Sequence, residues 1–222
     1  TATLDVLVSF EDLDEGTLAS GGGIFFFEQT FNGADVYQSG AIIELQTGVD
    51  PGGSDPDIEI TINRASLLAG EMYLGGADEP DVPNGLYDLY TVLLHEFGHG
   101  LGFISFDGDA NGDLSVFDLF VEDGVFNPVF DGPRTVEVFG EPLPLESGDP
   151  SHTSPSFLDL MNSALFPGER YFITSIAAAV LNDTGLPLLE PTGGDDLLYG
   201  YEHSVNGLSL QGGHDQISLL EG

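Results

Sequence analysis

The sequence predicts an α+β domain followed by a short repetitive tail. Apolar and polar residues alternate over much of the first third, which is typical of strands, whereas a middle segment has apolar residues three or four apart, as in a helix. Short segments separated by Gly and Pro follow, and then a second helical stretch. With 222 residues, of which 41% are hydrophobic, the chain can bury the core of one domain of ordinary size.

The strands are predicted in the N-terminal third. Alternation indicates a strand over residues 4–10, and a turn at residues 21–23, which are all Gly, precedes a second strand at residues 24–27. The pattern continues at residues 41–45 and 58–62, which we expect to form further strands. The first third is therefore expected to form a twisted sheet.

Two helices are predicted after the sheet. The first begins at Asn84, a candidate N-cap, and ends at Gly102, and its apolar residues recur at Tyr87, Tyr90, Leu94, Phe97 and Leu101. An irregular stretch follows, and a second helix is expected near residues 175–181, before Gly185 and Pro187. We therefore place the main domain at residues 1–190.

The tail, residues 191–222, contains a weak internal repeat. Residues 193–198 (GGDDLL) align with residues 212–217 (GGHDQI) at an offset of nineteen residues, about two nonapeptides. The pattern resembles the calcium-binding β-roll repeats of RTX proteins, and this resemblance implies calcium ligands at Asp195, Asp196 and Asp215. A Gly-rich tail without a defined fold is the alternative.

The charge balance is strongly acidic. The chain has 38 Asp and Glu but only three basic residues, for a formal net charge of −35. Binding to nucleic acid is excluded on this ground, since that function requires basic surfaces. Because so many like charges repel one another, we expect adaptation to high salt, several bound calcium ions, or both. A merely solubilising surface is the alternative.

Several function classes are excluded by what the composition lacks. The chain has no Cys, so a disulfide framework, a thiolate zinc site and a cysteine nucleophile are all excluded. The sequence contains no run of eighteen apolar residues, so it predicts no membrane-spanning helix. The chain opens at Thr1 without an initiator Met or a basic-then-apolar leader, and we expect a mature, secreted protein.

The most informative motif is the pentapeptide HEFGH at residues 95–99, inside the predicted long helix. Residues four apart lie on the same helix face, so His95 and His99 can reach one zinc ion while Glu96 points into the same cleft. A catalytic zinc takes three protein ligands and a water, whose proton an adjacent carboxylate can accept. A chance HExxH is the alternative, but the string continues as HEFGHGLGF, with Gly102 where the helix must end.

This extended string resembles the metzincin peptidases, whose motif runs HExxHxxGxxH. At the last position this chain has Ser105, a poor zinc ligand, so the third ligand must lie elsewhere. His152 is the candidate, because the other two histidines lie in the tail and Met161, nine residues later, resembles the family's methionine turn. A distant third His is similar to the leishmanolysin-like branch, and the similarity covers residues 58–188.

The resemblance implies a metzincin-like fold with an N-terminal sheet, an active-site helix and an irregular C-terminal half. It also implies a zinc endopeptidase that acts on polypeptides, with Glu96 as general base and Met161 in a structural role. Two alternatives stay open: a gluzincin with Glu122 as third ligand, and a non-catalytic acidic adhesion or interaction module that binds calcium or zinc. The oligomeric state cannot be read from the sequence.

A second metal site is predicted just after the zinc helix. Oxygen ligands recur there at positions 1, 3, 5 and 12 of a loop with Gly at position 6, as in an EF-hand. The predicted calcium ligands are Asp107, Asp109, Asn111, Asp113 and Asp118. An acidic surface turn is the alternative.

Overall fold

The computed structural model of this chain describes residues 2–76, 81–106, 111–124 and 127–187 with their side chains, and the backbone of residues 197–201 and 216–220. The chain divides into two compact units, residues 1–187 and 188–222. The first unit mixes helices with small sheets, so the α+β class is confirmed. No helix among the described residues is long and apolar enough to cross a membrane.

The first unit begins with strands and two short helices. In chain order these elements are β1 (Val6–Glu11), β2 (Ala19–Gly23), β3 (Phe25–Phe31), β4 (Ala34–Ser39), α1 (Gly40–Thr47), β5 (Ile58–Asn63), α2 (Arg64–Leu68), β6 (Met72–Tyr73) and β7 (Tyr87–Asp88).

The remaining elements start with the long helix. They are α3 (Leu89–Gly100), β8 (Leu114–Ser115), a 3-10 helix (Phe117–Phe120), β9 (Val121–Asp123), β10 (Pro128–Phe130), α4 (Pro133–Phe139), β11 (Leu143–Glu146), β12 (Asp149–Thr153) and α5 (Ser175–Asp183). In the second unit, β13 (Leu197–Tyr201) pairs in parallel with β14 (Gln216–Leu220).

A three-stranded sheet in the order β1-β5-β2 supports the long helix. β1 runs parallel to β5, and β2 runs antiparallel to it. Ile58, Ile60 and Ile62 of β5 are buried, and Leu93 and Phe97 of α3 pack against the cluster that they form. Burying an Ile side chain stabilises a fold by about 1.5–3 kcal/mol, so this alternating face holds α3 on the sheet.

A second apolar cluster lies in the C-terminal half of the first unit. Phe103, Phe117, Phe130, Leu145 and Met161 are members, and each is almost completely buried. They pack under the four-stranded sheet of order β12-β11-β10-β9 and against α5. The other three-stranded sheet has the order β3-β4-β8. Leu94 of α3 packs against this second cluster, so the long helix lies between two cores.

The predicted glycine turn at residues 21–23 is wrong, because these residues belong to β2 and pair with β5. Their lack of side chains serves close packing instead of a turn. A Cβ atom on Gly21 would lie 2.5 Å from Cβ of Glu96, and one on Gly23 would lie 2.8 Å from the carbonyl oxygen of Gly100. Glycine thus lets the backbone of β2 lie directly against α3.

The predicted strand at residues 41–45 is also wrong, since the segment forms helix α1. Its buried residues include Ala41, Ile42 and Glu44, which a helix can turn toward the interior together. Gly48 ends the helix with a φ of 71°, and its N–H donates to the carbonyl of Glu44. A short apolar run does not distinguish a strand from a buried helix, so its tertiary surroundings decide.

The long helix begins later than predicted. Asp88, not Asn84, is its N-cap, and a carboxylate oxygen of Asp88 accepts hydrogen bonds from the N–H (3.1 Å) and Oγ (2.7 Å) of Thr91. The predicted break is confirmed, because the helix ends at Gly100 and Gly102 follows with a φ of 99°. The predicted strand at residues 58–62 and the helix near residues 175–181 are confirmed as β5 and α5.

The two strands of the second unit pair at the offset of the sequence repeat. Their register joins Leu197 to Gln216 and Tyr201 to Leu220. Asp195, Asp196 and Asp215, with His203 and His214, lie outside the described residues. The RTX-like calcium segment therefore stays a prediction.

Candidate metal centre

Three imidazoles meet at the end of the long helix. His95 and His99 lie one turn apart on α3, and His152 lies on β12. One ring nitrogen of each lies within 4.8 Å of those of the other two. The Nε2 atoms of His95 and His99 are 3.1 Å apart, and the His152 ring centre is 5.3 Å from that of His95 and 5.0 Å from that of His99.

Each of the three rings is oriented by a hydrogen bond at Nδ1. The acceptors are the carbonyl oxygen of Leu160 for His95 (2.8 Å), the carbonyl oxygen of Phe103 for His99 (2.8 Å) and Oδ2 of Asp149 for His152 (2.9 Å). Because carbonyl oxygens only accept, the hydrogen of each α3 imidazole resides on Nδ1, and the Nε2 lone pair faces the cluster.

The donor set fits a zinc ion. Two nitrogens on a tetrahedral zinc at about 2.0–2.1 Å stand roughly 3.3 Å apart, which is close to the 3.1 Å between Nε2 of His95 and Nε2 of His99. Without a cation, these two lone pairs would repel each other. Three imidazole ligands would leave a fourth position open, as catalytic zinc sites do.

Burial keeps the two helix histidines unprotonated. His95 and His99 are only 6% and 7% exposed. Loss of solvation is the main cause that lowers the pKa of His95 to about 4 and that of His99 to about 3, and the neighbouring imidazoles contribute to both shifts. Both rings are therefore neutral near pH 7 and can donate lone pairs to a metal.

One turn joins the third histidine to the helix. The N–H of Thr153, next to His152, donates to the carbonyl of Met161 (2.9 Å), and the Asn162 side chain donates to Thr153 Oγ1 (2.8 Å). The preceding carbonyl, that of Leu160, is the one that orients His95. The turn thus fixes residues on both α3 and β12.

Met161 lies directly beneath the helix at Gly98. Its side chain is 1% exposed, and a Cβ atom on Gly98 would lie 2.7 Å from its sulfur. A glycine between the two helix histidines therefore lets the methionine pack under the ring pair. The structural role of Met161 stays a prediction.

Glu96 lies in the same cleft and is 8% exposed. Burial raises the pKa of its carboxyl group to about 7, and a hydrogen bond from the backbone N–H of Gly21 opposes part of that rise. A carboxyl group with such a pKa can both accept and release a proton near neutral pH.

The cleft around these residues has a volume of about 620 Å³. Its lining includes residues 16–21, which contain the start of β2, and residues 163–165 after the Met161 turn. His95, Glu96, His99 and His152 line it together. The cleft is therefore large enough for a peptide segment to approach the imidazoles.

The alternative third ligand named from the sequence is Glu122. Glu122 is exposed on β9 and does not belong to the histidine group. Ser105 donates from Oγ to Asp118, and its N–H donates to Oγ of Ser151, beside His152. The serine therefore links the end of the helix to β12.

The predicted calcium loop is described only in part. Asp107 and Asp109 lie outside the described residues, and Asn111, Asp113 and Asp118 lie within them. The carboxylate of Asp118 accepts four hydrogen bonds, from Ser105 Oγ, Phe106 N–H and the N–H and Oγ of Ser115. Asp118 thus closes a turn through both of its oxygens, and calcium binding in this loop stays a prediction.

Sequence reasoning missed two features of the molecule. Asp149 orients His152 from three residues away, a spacing that is visible in the sequence. Glu44, Asp50 and Asp57 form a second group whose carboxylates lie within 4.8 Å of one another. No local pattern joins these three, because the fold alone brings them together.

Comparisons with protein-family models, with curated proteins and with solved structures found no match to this chain. Only the residues and their geometry therefore bear on its function.

Proposed function

We propose that residues 1–187 form a zinc-dependent endopeptidase of the metzincin type, with His95, His99 and His152 as zinc ligands and Glu96 as general base. One observation carries the proposal: three imidazoles with oriented Nε2 atoms lie in an open cleft beside a buried carboxyl group whose pKa is raised to about 7. A site that only stabilises the fold does not need that carboxyl group, since burying it costs free energy.

The residues of the cleft have separate tasks in this reaction. Zinc, when bound, supplies Lewis acidity that polarises the scissile carbonyl and acidifies water. Glu96 takes a proton from the attacking water and passes it to the leaving amine. Gly21 lies directly against Glu96, since a Cβ atom on Gly21 would lie 2.5 Å from Cβ of Glu96. Asp149 and the carbonyls of Leu160 and Phe103 keep the three imidazoles in place.

The shape of the cleft favours an extended polypeptide as substrate. β2 is one of the two edge strands of its sheet among the described residues, and residues 16–21 line the cleft. An edge strand offers unpaired backbone groups, with which an extended peptide can pair. The substrate backbone would then run along β2 and past Glu96.

The position of Met161 supports the leishmanolysin-like assignment. The proposal combines three features of that branch: the HExxHxxGF string, a third ligand 53 residues after His99, and a buried methionine under the two helix imidazoles. Secretion is part of the same proposal, and so is calcium bound in the tail, which rests on the acidic composition and the repeat.

The test combines metal analysis with hydrolysis of denatured casein. We expect about one zinc per chain in the first unit, and Glu96→Gln should keep that zinc while activity falls by roughly 10²- to 10⁴-fold, the usual contribution of a general base. Turnover within a few-fold of the parent in Glu96→Gln would contradict the mechanism. If the parent protein bound zinc but did not hydrolyse casein, the result would favour the alternative of a non-catalytic adhesion or interaction module.

The third ligand is tested separately. His152→Ala should lose zinc at a chelator concentration that the parent withstands, because two imidazoles alone hold the ion weakly. Glu122→Ala is the matched control, since it removes the exposed carboxylate of the gluzincin alternative. If Glu122→Ala lost zinc and His152→Ala kept it, the ligand assignment would be wrong.

A further inference from the structure

A second cluster of metal-ligand side chains lies in the first unit, outside the residues that line the histidine cleft. Glu44 lies in α1, Asp50 in the loop after it, and Asp57 immediately before β5. One carboxylate oxygen of each lies within 4.8 Å of the other two. These residues do not belong to the calcium loop or the tail predicted from the sequence.

Two of these carboxylates are buried, and one has an unused oxygen. Glu44 and Asp57 are 5% and 4% exposed. Glu44 Oε1 accepts the N–H of Thr3 (2.8 Å), but Oε2 is buried and has no hydrogen-bond partner among the described residues. A buried carboxylate oxygen without a partner is costly, so this atom points to a ligand.

The chain supplies no basic side chain to neutralise the cluster. It contains three basic residues, and each pairs elsewhere, Arg64 with Asp12, Arg134 with Glu137 and Arg170 with Asp88. Three carboxylates close together repel one another strongly when two of them are shielded from water. A cation from solution would offset the repulsion among the three carboxylates and would give the unpaired oxygen of Glu44 a partner.

The donor chemistry selects the cation. All three ligands are carboxylates, which favour hard ions over zinc or copper. Calcium accepts six to eight oxygens at about 2.3–2.6 Å in flexible geometry, so two of its ligand oxygens can lie up to roughly 5.2 Å apart. The observed limit of 4.8 Å fits that span. Magnesium requires a tighter octahedron and gives up its waters reluctantly.

We propose that Glu44, Asp50 and Asp57 bind a calcium ion that fastens the N-terminal segment to the first sheet. The same carboxylates already hold that segment, because Asp57 Oδ2 accepts the N–H of Asp5 (2.8 Å) and Glu44 Oε1 accepts that of Thr3. Asp57 also leads into β5, the central strand beneath α3. The ion thus stabilises the sheet that supports the histidine cleft, whatever that cleft does.

The experiment measures calcium bound per chain by equilibrium dialysis of the whole 222-residue chain, and the melting temperature with and without calcium. Glu44→Gln keeps the side-chain size and removes the charge. Asp50→Asn changes an exposed residue and leaves the core intact. Glu122→Gln, on exposed β9, is the matched control for loss of one negative charge.

We expect Glu44→Gln and Asp50→Asn each to bind one calcium fewer per chain than the parent and Glu122→Gln. Their calcium-dependent rise in melting temperature should be smaller. In chelating buffer Glu44→Gln should melt no lower than the parent, because it no longer buries an unpaired charge. Unchanged calcium stoichiometry in Asp50→Asn and Glu44→Gln would overturn the proposal, even if calcium bound elsewhere in the chain.

Discussion

The ion pair between Arg170 and Asp88 makes a strong prediction about stability. Both side chains are almost fully buried, with 2% and 0% exposed, and the guanidinium donates to both carboxylate oxygens at 2.7 and 2.8 Å. Asp88 also caps α3, the helix that carries His95 and His99. Losing the arginine would leave this carboxylate charged, buried and with only its bonds to Thr91.

Arg170→Ala should therefore lower the free energy of unfolding by about 3–5 kcal/mol, the usual cost of breaking one partner out of a buried pair. For a domain of this size, that corresponds to a fall in melting temperature of roughly 6–20 °C. Urea unfolding in chelating buffer measures it without a contribution from bound metal. Stability should be lost chiefly through α3.

Arg64→Ala is the matched control, because the Arg64–Asp12 pair is exposed and screened by solvent. The double variant Asp88→Asn/Arg170→Met should lose less stability than Arg170→Ala, since no unpaired charge is left and Asn still accepts from Thr91. If Arg170→Ala were no more destabilised than Arg64→Ala, the reasoning about the buried charge would be refuted.

Three further predictions concern the metal centre and the charge. Gly98→Ala should destabilise the fold by about 1–3 kcal/mol in urea unfolding, because its methyl group overlaps the sulfur of Met161. Asp149→Ala should weaken zinc binding by about tenfold, which is the low end of the range for a residue that orients a metal ligand. We expect the low end because the Asp149 side chain is 53% exposed. Competition with a chromophoric chelator measures the change in zinc affinity. Molar sodium chloride should raise the melting temperature, because it shortens the Debye length to about 3 Å among 38 acidic side chains.

The controls differ for each of these measurements. The control for Gly98→Ala is Gly22→Ala, which has open space at its Cβ position and should destabilise the fold only slightly. Gly16→Ala is not a suitable control, because Gly16 has a positive φ. Asp149→Asn, which retains an acceptor for His152, should bind zinc more tightly than Asp149→Ala. A melting temperature that responds to neither sodium chloride nor calcium would leave the acidity as simple solubilisation.

Local patterns in the sequence were enough to predict the elements whose form depends on residues close together in the chain. The i, i+4 spacing placed His95 and His99 on one face of α3, and the alternation of isoleucines placed β5 in a buried sheet. Gly102 marked the turn after the helix. In each case the periodicity of one element determined which of its residues face inward, so no distant contact was needed.

Only the tertiary structure decided the features that depend on distant partners. The prediction that His152 joins the helix pair rested on a family resemblance, and the gathering itself depends on the turn at Met161 and on the bond to Asp149. Residues 21–23 read as a turn but form a strand, because the requirement for glycine comes from α3 lying against them. Asp88 caps the helix where Asn84 was expected, and its partner Arg170 lies 82 residues away in the sequence. The cluster of Glu44, Asp50 and Asp57 also depends on folding. The burial and the electrostatic surroundings of these residues are set by their neighbours in the folded protein, and the spacing of residues along the sequence does not reveal those neighbours.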